Sequence, residues 1–134
     1  MRIDEKIAEI ELYTSQLKEI VPNNLEYYKN DFKVRAICER LFEKIIEAMV
    51  DLAFLVIKEN KFKIPEEDTE AFDILLKRKV ITEGLSKKLK EAKGMRNIIA
   101  HEYGKIDDEI VFNSITEELE NDVREFIRLI KEKI

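Results

Sequence analysis

Apolar residues recur every three or four positions along most of the chain, which is the spacing of one face of an α-helix. The first such stripe runs through residues 2–20, and the helix ends before Pro22. The second stripe is longer and reaches about Asn60. Its apolar positions are Val34, Ile37, Leu41, Ile45, Ala48, Leu52 and Leu55. The pattern therefore predicts two amphipathic helices in the first half of the chain.

The second half of the second helix is apolar on the opposite side too, because Val50, Phe54 and Ile57 lie there. A helix that is apolar all round needs cover on both sides. We therefore expect a second copy of the chain to cover these side chains, in a homodimer or in a dimer of such dimers.

Three further helical segments follow a loop at residues 60–69. Asp68 or Thr69 is placed to cap the third helix, Thr82 caps the fourth, and Gly104 is placed to end the fourth. The inward stripe of the fourth helix is Leu85, Leu89, Ala92, Met95 and Ile99.

The last helix begins near Asp107, or restarts at the capping-box pattern of residues 114–117. Its inward stripe is Ile115, Leu119, Val123, Phe126 and Ile130. Five helical segments with short connections and no strand pattern predict an all-α fold, an antiparallel bundle of about five helices. Its length favours one domain over residues 1–134.

The composition excludes several classes of function. The N-terminal residues carry charges throughout, so we expect neither a signal peptide nor a membrane span, and the expected location is cytoplasmic. Cys38 is the only cysteine, and with one histidine in the chain it does not make a zinc site; we assign it to the core. Gly-rich phosphate loops and nucleophile elbows are absent from the sequence. No metal or cofactor is expected.

Charge is unevenly distributed along the chain. The formal net charge is −5, yet residues 77–105 contain nine basic residues against three acidic ones, a local charge of +6. This stretch is either a solvated helix face or a surface that meets a polyanion.

The same stretch contains unusual residues near the end of the fourth helix. At 100° per residue Arg96 lies within the apolar stripe, whereas His101 lies about 140° round from it. Asn97 shares a face with His101 and can orient the imidazole. Tyr103 returns to the Arg96 side, so we expect its ring against the core and its hydroxyl at the mouth of a cleft. Asp51 interrupts an apolar run and is expected to be buried, with Arg96 as its partner.

Regular helix geometry does not bring Arg96 and His101 to one ligand. Either the helix loosens near Ala100, or the arginine reaches around, or two chains supply the two sides.

The pattern of Arg96, Asn97, three residues, His101, one residue and Tyr103 resembles the signature of the HEPN superfamily, specifically the HepT-like toxins. The order of helices is similar over nearly all of the chain. The resemblance implies a HEPN-like helical bundle and a metal-independent endoribonuclease toxin whose sites form between two protomers. It also implies a nucleotidyltransferase antitoxin that transfers AMP to the tyrosine.

The resemblance assigns roles to these residues. His101 would act as general base or acid, Arg96 would hold phosphoryl oxygens, and Asn97 would donate a hydrogen bond or orient His101. Tyr103 would be the AMPylation site. Asp51 is either a supporting residue of the site or a structural ion-pair partner of Arg96 that fixes the helix register. The alternative is a non-catalytic helical partner that binds a nucleotidyltransferase and completes its substrate site. A third interpretation is a structural dimeric bundle that binds no ligand.

Overall fold

One long helix forms the centre of the fold, and four of the other helices contact it. The computed structural model describes residues 2–134. The helices are α1 (Arg2–Ile20), α2 (Leu25–Asn30), α3 (Phe32–Glu59), α4 (Asp68–Lys77), α5 (Glu83–His101), α6 (Asp108–Asn113) and α7 (Leu119–Lys133). The central helix α3 contacts α1, α2, α4 and α5, and α7 packs on α5. The described chain contains no strand, and the predicted all-α helical bundle is confirmed.

Side-chain caps explain where four of the helices begin. Asn24 accepts from the backbone N–H of Tyr27 at the start of α2, and Asp31 caps α3 through two backbone N–H groups. Asp107 caps α6 in the same way. The predicted cap at Thr82 is present, since its hydroxyl accepts from the N–H of Leu85. These local bonds fix the boundaries that frame the candidate site.

The fully buried aromatic side chains of the core are Tyr28, Phe42, Phe72 and Phe126. Tyr28 of α2 packs on Phe112 of α6 with ring centroids 5.3 Å apart. Phe72 of α4 meets Phe126 of α7 edge to face at 6.1 Å. Cys38 is fully buried, as predicted. The aromatic pairs join helices that are distant in sequence, so they stabilise the bundle as a unit.

Several predicted boundaries were wrong. The short helix α2 was not predicted, because its six residues are too few for a periodic pattern. Helix α4 begins at Asp68 after Glu67, and no side chain caps it, so neither Asp68 nor Thr69 is the cap. Helix α5 ends at His101, so Gly104 lies beyond its end, in the 3₁₀ turn Tyr103–Lys105.

The capping-box prediction at residues 114–117 was also wrong. These residues lie in a π-helical turn, Ser114–Glu118, which joins α6 to α7 without a break in the helix. Ser114 itself has helical dihedral angles, so it does not begin a helix. The last helical segment therefore starts at Asp108 and continues through one wide turn.

The second apolar side of α3, from which the sequence predicted a dimer, is covered within the single chain. Val50 and Ile57 are buried within the single chain, and Phe54 is partly buried, because α3 is enclosed by the helices around it. Ile37, which was predicted to face inward, is 45% exposed instead. Within residues 2–134, none of the helices combines the length and the apolar composition of a membrane-spanning segment.

Candidate functional site

Arg96 lies on the side of α5 that faces α3. Its side chain is 19% exposed, and Nη2 lies 2.5 Å from Oε1 of Glu47 on α3. The Nε atom is buried and has no hydrogen-bond partner within the described chain. A guanidinium presents a planar fork of N–H donors. Arg96 is therefore positioned by the packing of two helices.

Asn97 connects Arg96 to a second cation. Its Oδ1 accepts from Arg96 Nη1 at 3.2 Å and from Lys93 Nζ at 3.3 Å. Lys93 is buried, and its ammonium also pairs with Asp68 at the start of α4, at 3.4 Å. The structure gives no hydrogen bond between Asn97 and His101. The amide of Asn97 therefore orients Arg96 and Lys93 rather than the imidazole.

The prediction that Asp51 is buried and pairs with Arg96 is wrong. Its side chain is 61% exposed and pairs with Lys6 of α1 at 3.5 Å, so it is neither buried nor the partner of Arg96. The partner is Glu47, which lies one helical turn earlier on the same face of α3. An acid at either position satisfies the sequence pattern, and only the register between α3 and α5 selects Glu47.

These side chains line an open groove between α3, α4 and α5, with a volume of about 320 Å³. Its lining residues are Glu47, Val50, Asp51, Phe54, Asp68, Lys93 and Arg96. Sequence reasoning missed Glu47, Lys93 and Asp68. The available signal was weak, since charged residues are common in this chain and only contact between helices distinguishes these three.

His101 is the last residue of α5 and is exposed. Because α5 is regular up to this residue, the offset of about 140° from Arg96 persists. Tyr103 follows in the 3₁₀ turn, and its side chain is 76% exposed, so its ring does not pack on the core. One chain therefore presents Arg96 in a groove, and His101 and Tyr103 at an open end of the helix.

The basic stretch at residues 77–105 is partly neutralised by acids from other helices. Lys90 pairs with Asp73 of α4 at 2.9 Å, and Lys88 pairs with Asp122 of α7 at 3.8 Å. Lys93 and Arg96 are paired as described above. The charge of +6 along the sequence is therefore smaller as a surface charge in the folded chain.

Metal-ligating side chains do not gather at this site. Within residues 2–134, no three His, Cys, Asp or Glu side chains lie close enough together to hold a metal ion.

An all-helical bundle with Arg-Asn-x3-His-x-Tyr at the end of α5 has the fold and the motif of HEPN ribonucleases. The family model described as Ribonuclease HepT-like matches residues 10–130. The chain therefore belongs to the HepT-like ribonuclease family, and the resemblance seen in the sequence is confirmed.

Similar proteins and a solved structure support this assignment. The chain is 29% identical to the mRNA nuclease HepT of Shewanella oneidensis over 96% of both proteins. It is 31% identical to the tRNA nuclease HepT of Aphanizomenon flos-aquae, over 85% of this chain and 78% of the relative. The solved structure of the tri-AMPylated Shewanella oneidensis HEPN toxin in complex with MNT antitoxin superposes with a TM-score of 0.90. That match has 28% identity and covers 97% of this chain and 96% of the toxin.

Proposed function

We propose that the chain is the toxin of a toxin–antitoxin pair, a metal-independent endoribonuclease of the cytoplasm. The proposal rests on the different positions of two residues of the motif, Arg96 and His101. Arg96 is fixed by Glu47 and Asn97 in a groove, while His101 stands exposed at the end of the same helix. Cleavage of an RNA phosphodiester needs a charge-stabilising cation and a group that transfers protons, and these two residues supply both.

The proposed reaction is attack by the ribose 2′-oxygen on the neighbouring phosphorus. A general base removes the 2′-OH proton, the 2′-oxygen bonds to phosphorus, and the bond from phosphorus to the 5′-oxygen breaks. The leaving 5′-oxygen takes up a proton, which yields a 2′,3′-cyclic phosphate and a 5′-OH end. His101 acts as base or acid, a contribution of about 10²–10⁴ in rate. Arg96 donates to the phosphoryl oxygens, and Asn97 keeps it in place.

We propose that the working site is composite and lies in the cleft of a homodimer. The separation of about 140° around α5 supports two chains as the source of the two sides. In a two-fold dimer, Arg96 of one protomer meets the partner's His101, and the symmetry creates the same site twice.

A mixing experiment tests the composite site. Arg96→Ala and His101→Ala are each expected to be inactive as homodimers. In a heterodimer of the two variants one composite site carries both substitutions, and the other is intact. Coexpression with two different affinity tags and tandem purification should therefore recover about half of the activity of the unsubstituted dimer. A heterodimer without activity would contradict the composite site.

We further propose that a cognate nucleotidyltransferase is the antitoxin and transfers AMP to Tyr103. The relative in the Shewanella oneidensis complex is tri-AMPylated and bound to MNT antitoxin. Tyr103 of this chain is 76% exposed, so its hydroxyl is accessible to a second enzyme. Added phosphodiester groups bring negative charge two residues from His101, where they compete with RNA phosphates.

A further inference from the structure

Lys93 is the only lysine of residues 2–134 that is buried. Burial of an ammonium group costs free energy unless protein acceptors replace the water around it. Its Nζ forms an ion pair with Oδ2 of Asp68 at 3.4 Å and donates a hydrogen bond to Oδ1 of Asn97 at 3.3 Å. Asp68 alone balances the charge of Lys93. The contact with Asn97 therefore adds something that charge balance does not require.

The orientation of the Asn97 amide depends on the donors around its oxygen. The torsion angle between the amide and Cβ is broad in asparagine, so a single hydrogen bond to Oδ1 holds the amide only loosely. Oδ1 has two lone pairs, and the structure gives it two donors, Nη1 of Arg96 at 3.2 Å and Nζ of Lys93. A reversed amide would place its own N–H donors against these two cations. Nothing else within residues 2–134 holds the amide, because Nδ2 has no acceptor there.

The contacts of Asn97 are part of a series that joins three helices. Lys93 links α5 to α4 through Asp68, and Arg96 links α5 to α3 through Glu47. Asn97 lies between the two cations and is the acceptor for Nη1 of Arg96. If the amide turns away, one arm of the guanidinium loses its acceptor. A shift of about 1 Å in the position of a group that acts on a substrate can lower the rate by about 10².

We propose that Lys93 is a positioning residue for RNA cleavage. Its ammonium holds Asn97 with Oδ1 toward Arg96, and the amide in turn keeps the guanidinium where it meets the phosphoryl oxygens. This inference rests on the proposed function, in which Arg96 acts on the phosphate. Lys93 acts through Asn97, since its own side chain is only 9% exposed. The competing role is purely structural, an ion pair with Asp68 that links α5 to α4.

Two lysine variants separate these roles. Lys93→Met and Lys90→Met each remove a lysine of α5 that pairs with an aspartate of α4, Asp68 and Asp73 respectively. Lys90 forms no hydrogen bond with Asn97. Methionine is apolar and close to lysine in length, so both variants should fold, as circular dichroism verifies. We expect Lys93→Met to lower kcat at least about tenfold with KM within about twofold of the parent. Lys90→Met should cleave like the parent.

A double-mutant cycle shows whether Lys93 acts through Asn97. Asn97→Ala removes the amide and leaves Lys93 nothing to position. Adding Lys93→Met to Asn97→Ala should therefore lower kcat/KM no further. Losses that multiply in the double variant would overturn the inference.

Lys93→Gln tests whether a donor at this position is enough. Glutamine keeps an N–H donor four residues before Asn97, a spacing at which the two side chains form a hydrogen bond on a helix. We expect this variant to cleave within about threefold of the parent, because a neutral donor still satisfies Oδ1 of Asn97. A Lys93→Gln variant as slow as Lys93→Met would contradict the proposed role of the donor.

The side-chain amide signals of Asn97 in nuclear magnetic resonance spectra test the contact without any activity. Their loss in Asn97→Ala assigns them. We expect Lys93→Met to shift these signals and Lys90→Met to leave them in place. Unchanged signals in Lys93→Met would overturn the inference even if the unsubstituted chain cleaves RNA. If the signals shift but the unsubstituted chain cleaves no RNA, the proposed function fails, and the role of Lys93 in cleavage fails with it.

Discussion

Arg96 of α5 and Glu47 of α3 form the closest ion pair of the candidate site, with Nη2 and Oε1 2.5 Å apart. The pair joins the motif helix to the central helix of the bundle, so it ties the position of the guanidinium to the fold. Because the arginine is four-fifths covered, loss of the carboxylate leaves a charge with little access to water.

We predict that Glu47→Ala lowers the free energy of unfolding by about 1–3 kcal/mol. This loss lies between the losses typical of an exposed ion pair and of a buried one. Asp51→Ala is the matched control, one turn later on the same helix and 61% exposed, with an expected change within about 0.5 kcal/mol. Urea unfolding of both variants measures the difference. A larger loss for Asp51→Ala than for Glu47→Ala would contradict the assignment of the partner.

The stability of the bundle should depend on the protonation of Asp122. Burial raises the pKa of this carboxyl, and nearby Lys88 lowers it by a smaller amount. A carboxyl whose pKa is raised by folding binds its proton more tightly in the folded state, so ionisation destabilises the fold as the pH rises through that range.

We therefore predict that Asp122→Asn melts above the parent at pH 7, and that the difference shrinks as the pH falls below the unfolded-state pKa of aspartate, about 4. Glu109→Gln removes an exposed carboxylate of α6 and serves as control. If the two variants shifted the melting temperature equally at pH 7, burial of the Asp122 carboxylate would not be what destabilises the fold.

Cys38 should be unreactive in the folded protein. Its side chain is fully buried, and burial raises the pKa of the thiol to about 11, so little thiolate exists at neutral pH. We predict no labelling by a thiol reagent at pH 8 in native buffer, and complete labelling in 6 M guanidinium. Rapid labelling of the native protein would contradict the burial of this residue.

Tyr103 should be modified without loss of stability. Coexpression with the proposed nucleotidyltransferase antitoxin is expected to add one or more AMP masses, located at Tyr103 by peptide mass spectrometry. Tyr103→Phe should escape modification, keep its melting temperature within about 2 °C, and keep much of its nuclease activity, because the ring is exposed. Tyr27 is the control position, because its side chain is 69% exposed but lies outside the motif, so it should not be modified. AMP at another residue would remove Tyr103 from this role.

The features that the sequence predicts correctly are local or periodic. The cap at Thr82 needs only a hydroxyl three residues before a backbone N–H, and the apolar stripe of α5 needs only its spacing. The motif of Arg96, Asn97 and His101 is close in sequence, so its resemblance to the HepT-like family was visible without a structure. The family model confirms that resemblance over residues 10–130.

The features that the sequence misses depend on contacts between helices. Glu47 and Asp51 lie on one face of α3, and only the packing of α5 against that face selects Glu47 for Arg96. Val50 and Ile57 look unpartnered in a linear pattern, but the neighbouring helices bury them. The sequence does not distinguish Lys93 from the other lysines. Only the folded structure shows that it is buried beside Asn97.

RNA cleavage by the purified chain in excess EDTA tests the central claim most directly. The account predicts cleavage that chelator leaves unchanged and products with 2′,3′-cyclic phosphate ends. His101→Ala and Arg96→Ala should lower the rate by at least about 10² while helicity is unchanged. Arg124→Ala, which removes an exposed arginine of α7, should cleave like the parent. Cleavage that requires an added divalent metal, or full activity of His101→Ala, would contradict the account. A chain that binds the nucleotidyltransferase but never cleaves RNA would instead be its non-catalytic partner.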